Sequence, residues 1–247
     1  MVFVILPAYN EEEKIGGLIR DIDSTFKKNG TEYRTIVVND GSSDGTAGIV
    51  RGLSKTLPVT LIDLGTNKGV HEAFRRGFNA VYGLSAPGDI ILTMDSDGTH
   101  DVKKSPEMIE RIRSGCDIVI ASRFRRGSRI YGVPLYRNFL SYAARYVVPF
   151  VFGEREARDF TIFHRAYRAE ILKGLIDHYG ERFIESTGFT ANTEVLVKAR
   201  IYYGKRLKVC EVPCELHYEL KAGPSKMNVW SNLKEYFTFI WRMKFKR

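Results

Sequence analysis

Two aspartates one residue apart, Asp95 and Asp97, follow the apolar run Ile90-Ile91-Leu92-Thr93-Met94 and precede Gly98-Thr99-His100. Carboxylates are hard oxygen donors, and a pair of them suits a divalent cation that also carries phosphate oxygens. The β-branched run before them reads as a buried strand ending at Asp95. Residues i and i+2 of a strand share a face, so both carboxylates are expected to converge as the chain leaves the sheet. A calcium loop of the EF-hand kind is excluded, because it needs glycine at its sixth position and glutamate at its twelfth. Counted from Asp95, Gly98 is fourth and Pro106 is twelfth.

The elements that must position this pair are legible upstream. Val2 to Leu6 reads as a first strand, followed by Pro7-Ala8-Tyr9-Asn10-Glu11 and a helix running to about Lys28. Glu11, Glu12 and Glu13 suit the positive end of that helix, so capping alone would account for them. Arg34 to Val38 is a second strand, then Asn39-Asp40-Gly41-Ser42-Ser43-Asp44-Gly45 turns into a helix from Thr46 to Lys55. Gly41, Gly45 and Asp44 are explained by turn and cap chemistry; Asp40, leaving a strand, is not. Val59 to Leu64 is a third strand, and Asn67-Lys68-Gly69 leads into a helix from Val70 to Tyr82. In open α/β sheets ligands bind at the carboxyl ends of the strands, where Pro7, Tyr9, Glu11, Asp40 and the aspartate pair all fall.

Taken in order, Pro7-Ala8-Tyr9-Asn10-Glu11, Asn39 to Thr46, Asn67-Lys68-Gly69 and Asp95-Ser96-Asp97 resemble the signatures of family-2 glycosyltransferases. The resemblance implies an α/β, Rossmann-like nucleotide-diphospho-sugar transferase fold of the glycosyltransferase A type, with a mostly parallel sheet. It also implies an inverting enzyme with a nucleotide-sugar donor. Pro7, Tyr9, Glu11, Asp40 and Lys68 would bind the nucleotide, with Asp95 and Asp97 holding Mg²⁺ or Mn²⁺ against its diphosphate. Thr99 stands where close relatives have a glutamine, and is carried as a third metal position. Met94 to Thr99 also resembles the nucleophile motif of haloacid-dehalogenase-type phosphohydrolases, with Asp95 as nucleophile. Three α/β units precede the motif here, whereas there it opens the domain. A catalytically silent nucleotide-binding protein is the remaining alternative.

Downstream, the strand Asp117 to Ala121 ends in Ser122-Arg123-Phe124, and Arg125, Arg126, Arg129 and Arg137 follow. Arg125 and Arg126 read as a solvated face; Arg123 sits at the ligand edge. Arg137 to Arg145 resembles a helix of dolichyl-phosphate mannosyltransferases and near relatives. That resemblance assigns Arg123, Arg137 and Ser141 to the acceptor phosphate, with Lys226 of Gly223-Pro224-Ser225-Lys226 beside them. Guanidinium forks suit phosphate. Asp159-Phe160-Thr161-Ile162-Phe163-His164-Arg165 stands in the place of the family's Asp-x-x-Ser-Gly-Phe-Arg; its Asp and Arg are kept, its Ser-Gly pair is not. The expected reaction moves mannose from GDP-mannose to a polyprenyl (dolichyl-type) phosphate. The alternative within the family is a UDP-sugar donor or a saccharide acceptor.

The chain has 247 residues, 44% hydrophobic and 27% charged, with 38 Lys and Arg against 29 Asp and Glu. The net charge of +9 and pI near 9.4 suit anionic partners; no nucleic-acid partner is expected. No basic n-region or apolar run of ~18 residues appears, so neither a secretory leader nor a membrane span is expected. Cys210 and Cys214, in one strand, would lie ~13 Å apart, too far for a disulfide, and a reduced chain is expected. Residues 1–227 are read as the catalytic domain, with a donor half to about 124 and an acceptor half beyond it. From Val229, Trp230, Leu233, Tyr236 or Phe237, Ile240 or Trp241, and Phe245 recur at helical spacing among Lys234, Arg242, Lys244, Lys246 and Arg247. Residues 228–247 thus read as an amphipathic helix that either packs or meets a membrane surface. That helix, or a membrane-spanning partner subunit, would bring the enzyme to the cytosolic face.

Overall fold

A computed structural model describes residues 1–188, 190–220 and 229–245, with backbone alone for 135–140 and 229–233. Strand β1 (Val2–Ala8) is buried at every position, as a strand covered on both faces must be. Helix α1 (Glu12–Lys28) buries Ile15, Leu18, Ile19, Ile22 and Phe26 along one stripe. Its first turn carries Glu12 and Glu13 and its last Lys27 and Lys28, matching the helix dipole at both ends. Two further units follow: β2 (Tyr33–Asn39) with α2 (Thr46–Leu53), then β3 (Val59–Asp63) with α3 (Val70–Leu84). Gly77 lets α3 press onto the sheet, since a Cβ there would stand 2.4 Å from Ile5 Cγ2. Next come β4 (Ile90–Thr93), α4 (Ser105–Arg113), β5 (Ile118–Ser122) and the short β6 (Arg129–Tyr131).

The remaining elements are α5 (Leu135–Phe152), β7 (Arg165–Arg168), α6 (Ala169–Tyr179) and α7 (Thr190–Tyr203). Then follow β8 (Val209–Pro213), β9 (Glu215–His217) and α8 (Val229–Phe245). Among the described residues, seven strands form one sheet in the order β3-β2-β1-β4-β7-β5-β8. All neighbours are parallel except β7, which runs antiparallel to both β4 and β5. The order reverses beside β1, whose neighbours β2 and β4 lie on opposite sides, and a crevice opens there at the carboxyl edge. Strands β6 and β9 form a second, two-stranded sheet. It is tied to the loop after β4 by the His217 amide, which donates to the Thr99 carbonyl at 2.9 Å.

Two expectations need correction. Strand β4 ends at Thr93, two residues before Asp95, so strand alternation is not what brings the carboxylates together. Cys116 and Cys210 form a disulfide with Cα atoms 6.1 Å apart. Spacing along the chain hid this pair, because the parallel pairing of β5 with β8 is what brings them together. Cys214 stays free and buried.

Helix α5 leaves Tyr142, Tyr146, Val147 and Phe150 exposed, the last at 91%. Its end meets α8 through Phe152 and Phe239, ring centroids 5.6 Å apart. On α8, Phe239 and Met243 are buried while Phe237, Trp241 and Phe245 are exposed. No helix among the described residues is long and apolar enough to cross a membrane.

Candidate active site

The crevice beside β1 is a cavity of about 430 Å³ reached by Pro7, Tyr9, Glu11, Asp40, Asp95, Asp97, Thr99 and Arg123. The loops that deliver the first four are stitched together by side chains. Asn10, held at φ 54, takes its amide to Ser42 Oγ at 2.9 Å and accepts from the Ser43 amide at 2.9 Å. The Glu11 amide donates to Thr46 Oγ1 at 2.8 Å. Gly41 is needed where it stands: φ is 68°, and a Cβ would lie 2.4 Å from the Thr66 carbonyl carbon. Asp40 lines the cavity while its two oxygens accept the Lys68 and Gly69 amides at 2.7 and 2.8 Å. It therefore shapes the Asn67-Lys68-Gly69 turn. The Lys68 side chain is exposed, and the residue is not part of the lining.

Beyond β4, a turn rather than a strand aims the carboxylates. Ser96 Oγ donates to the Pro7 carbonyl at 2.5 Å, anchoring the turn to the end of β1. Asp97 Oδ1 accepts from the Thr99 amide and hydroxyl at 3.1 and 2.7 Å, and Gly98 sits at φ 73° between them. The Thr99 hydroxyl is thus given to Asp97. His100 Nε2 lies 3.2 Å from Asp95 Oδ2, in a position its residue type alone did not suggest. Asp95 is 27% exposed through its side chain, and its Oδ1 has no partner among the described residues. An outward carboxylate oxygen beside a second carboxylate is a fitting donor set for a divalent cation completed by phosphate oxygens. No group of three His, Cys, Asp or Glu donors occurs among the described residues, so substrate and water would supply the rest.

The cavity lining also carries Arg123, which is paired with a buried carboxylate. Because β7 is antiparallel, Arg165 at its start lies opposite Thr93 and Ile120, near the ends of β4 and β5. The preceding loop, Asp159 to His164, is therefore delivered to the ligand edge. Arg123 Nε donates to Asp159 Oδ2 at 2.8 Å and Nη2 to Oδ1 at 2.6 Å, a two-point fork. Its Nη1 donates to Ser141 Oγ at 2.9 Å, and Nη2 also reaches Thr161 Oγ1. Burial alone would raise the Asp159 carboxyl; the adjoining guanidinium outweighs it and holds the group below its ordinary value. Burial pushes the nearby Cys214 thiol up to about 12, with Asp159 adding to the effect. Arg123 and Ser141 thus come together as expected. The side chain of Arg137 and the whole of Lys226 lie outside the described residues. Arg165, kept from the family pattern, is not at the cavity; it is buried and donates to the Asn192 and Phe160 carbonyls at 2.6 and 2.9 Å. Thr161, His100 and Tyr218, which the sequence reading did not assign to the site, are also on the cavity wall.

Residues 3–176 match the model of the family described as Glycosyl transferase family 2. The chain belongs to glycosyl transferase family 2. Membership displaces the phosphohydrolase reading of Asp95-Ser96-Asp97-Gly98-Thr99. Among relatives of this family-2 chain, a dolichol-phosphate mannosyltransferase of Pyrococcus furiosus is 32% identical over 246 residues. The match covers 98% of the chain and 63% of that relative, so the chain spans less than two thirds of its length. An undecaprenyl-phosphate mannosyltransferase of Micrococcus luteus is 31% identical, covering 92% of the chain and 87% of the relative. A mannosyl-3-phosphoglycerate synthase from Rubrobacter xylanophilus superposes with TM-score 0.70 at 16% identity, covering all of the chain and 74% of that structure. A UDP complex of glucosyl-3-phosphoglycerate synthase from Mycobacterium tuberculosis gives 0.68 at 17% identity, covering 98% and 79%. At these identities the structures share the fold.

Proposed function

We propose that this chain transfers a sugar, mannose from GDP-mannose in the first instance, to a polyprenyl phosphate with inversion, at the cytosolic face of a membrane. The observation that carries the reading is one cavity lined both by the carboxylates Asp95 and Asp97 and by the braced guanidinium of Arg123. A diphosphate leaving group suits the first through a metal, and an anionic acceptor suits the second. The names of the Pyrococcus and Micrococcus relatives support a polyprenyl phosphate acceptor. Glucosyl-3-phosphoglycerate synthase complexes holding Mn²⁺ with UDP-glucose support a divalent metal.

Asp95 and Asp97 would hold Mg²⁺ or Mn²⁺. When bound, that ion neutralises charge gathering on the departing nucleoside diphosphate. Pro7, Tyr9 and Glu11 flank the nucleotide, and Asp40 keeps the Asn67 to Gly69 turn in place beneath it. Arg123 orients the acceptor phosphate with its remaining Nη1 hydrogen, helped by Ser141, Arg137 and Lys226. A lipid monophosphate is already anionic at neutral pH, so it attacks the anomeric carbon without a dedicated base. Positioning and preorganised charge then supply most of the acceleration. The exposed aromatic residues of α5 and α8 meet the lipid surface.

Incubating the chain with radiolabelled GDP-mannose, UDP-glucose or UDP-N-acetylglucosamine, polyprenyl phosphate and Mn²⁺ tests this reading. Label is expected in the organic phase from GDP-mannose. Label found only in an aqueous saccharide would overturn the lipid acceptor, and transfer from a UDP-sugar alone would overturn the donor.

A further inference from the structure

Four consecutive backbone amides between α6 and α7 are each captured by a side chain from elsewhere in the fold. Glu194 Oε2, on α7, accepts from Glu185 and Ser186 at 3.0 and 2.7 Å. Glu235, on α8, accepts from the Thr187 amide and hydroxyl, both at 2.7 Å. The Gly188 amide donates to His71 Nδ1 at 3.4 Å, in the first turn of α3. An irregular segment has no ladder to satisfy its amides, and carboxylate acceptors bind them about twice as strongly as neutral ones. The strap is therefore fixed from three helices at once.

Its supports are themselves braced. Glu194 is fully buried and receives Lys198 at 2.7 Å and Arg242 at 3.1 Å. Arg242 also donates to Ser186 Oγ at 2.7 Å, so α8 grips the strap at two points, Ser186 and Thr187. The strap ends at Gly188, which lies at φ 56° on the cavity wall beside Gly69 and Val70. The face of α8 that carries Phe237, Trp241 and Phe245 is exposed, whereas Glu235 and Arg242 turn toward the strap.

We propose that Glu235 is a positioning residue for the donor: through Thr187 it holds Gly188 against the nucleotide-sugar cavity, making α8 part of the donor site. This rests on the reading of the cavity as the donor site. Glu235 itself need not touch the substrate.

The test uses the whole chain and binding of GDP and UDP with Mn²⁺ by calorimetry, without turnover. E235A is expected to weaken the nucleotide about tenfold, E235Q to recover about half of that on a logarithmic scale, and T187V to cost about threefold. Hydrogen exchange at residues 187 and 188 is expected to slow when nucleotide binds the wild-type chain and to slow less in E235A. The Glu235–Thr187 contacts are exposed, so the thermal midpoint of E235A should move by no more than about 2 °C. A dissociation constant within about twofold of wild type for E235A, or no nucleotide protection at residues 187 and 188, overturns the role of Glu235. Failure of the wild-type chain to bind either nucleotide overturns the donor reading, and this proposal with it.

Discussion

Replacing Arg123 by alanine isolates the energetics of the braced guanidinium. Asp159 is fully buried, and the Arg123 side chain is 10% exposed. The substitution would leave the carboxylate hydrogen-bonded only to the amides of residue 123, Thr161 and Ile162, at 3.0, 3.3 and 3.3 Å, with Arg165 as the cation still acting on it. Breaking a buried ion pair from one side costs about 3–5 kcal/mol, because the remaining charge is uncompensated. For a chain of this size that corresponds to a drop of roughly 6–20 °C in melting temperature. The sign of the pH dependence is a second check. In the wild-type chain Asp159 titrates below its ordinary value, so its contribution is present above the unfolded carboxyl pKa and is lost in acid. Without Arg123 burial raises the carboxyl, and its protonation relieves the penalty, so the gap between variant and wild type should narrow below about pH 5. R123A/D159N, with no buried charge left over, should recover part of the loss. Calorimetric or fluorescence melts from pH 5 to 8 measure all of this. A loss under about 1 kcal/mol at pH 7 that does not change with pH would refute the buried-pair argument.

Three further outcomes concern other parts of the molecule. D97A should reduce transfer by at least about a hundredfold and abolish Mn²⁺-dependent nucleotide binding; retained binding, read by calorimetry, would remove the metal argument. Burial, with the neighbouring His100, holds His164 well below its ordinary 6.5, so the folded state excludes a proton that the unfolded state accepts. Stability should therefore be complete above pH 6.5 and fall on acidification by about 1.4 kcal/mol per unit; H164F should flatten that slope in urea titrations at pH 7, 6 and 5. C116S should lower stability by about 2–4 kcal/mol under oxidising conditions and leave melts in reductant nearly unchanged.

Site residues placed directly after an apolar strand were legible in the sequence. Asp40, Asp95, Asp97 and Arg123 each stand within a few residues of a β-branched run, and all four reach the cavity. The units before β4 alternate strand and helix with the periodicities that local reading detects. Non-local pairing was not legible. Strand β7 is only four residues long, and its pairing with both β4 and β5 has no local signature. Arg123 and Asp159 lie 36 residues apart, and the disulfide cysteines 94 apart. The turn at Ser96 to Thr99 escaped for a different reason. Continuing the strand to Asp95 and closing a turn after Thr93 place the same residues at the same edge, and the Ser96 contact with Pro7 decides between them.

The reversed strand also acts as a ruler. With β7 between them, the exits of β4 and β5 stand two strand spacings apart, roughly 9.5 Å. Direct neighbours would have set the two exits at half that width. Only the anomeric carbon stands between the attacking and leaving oxygens of an in-line displacement, but each oxygen carries a phosphorus on its far side, and the proposed reaction therefore needs the wider gauge. A single four-residue strand, inserted against the direction of its neighbours, sets it.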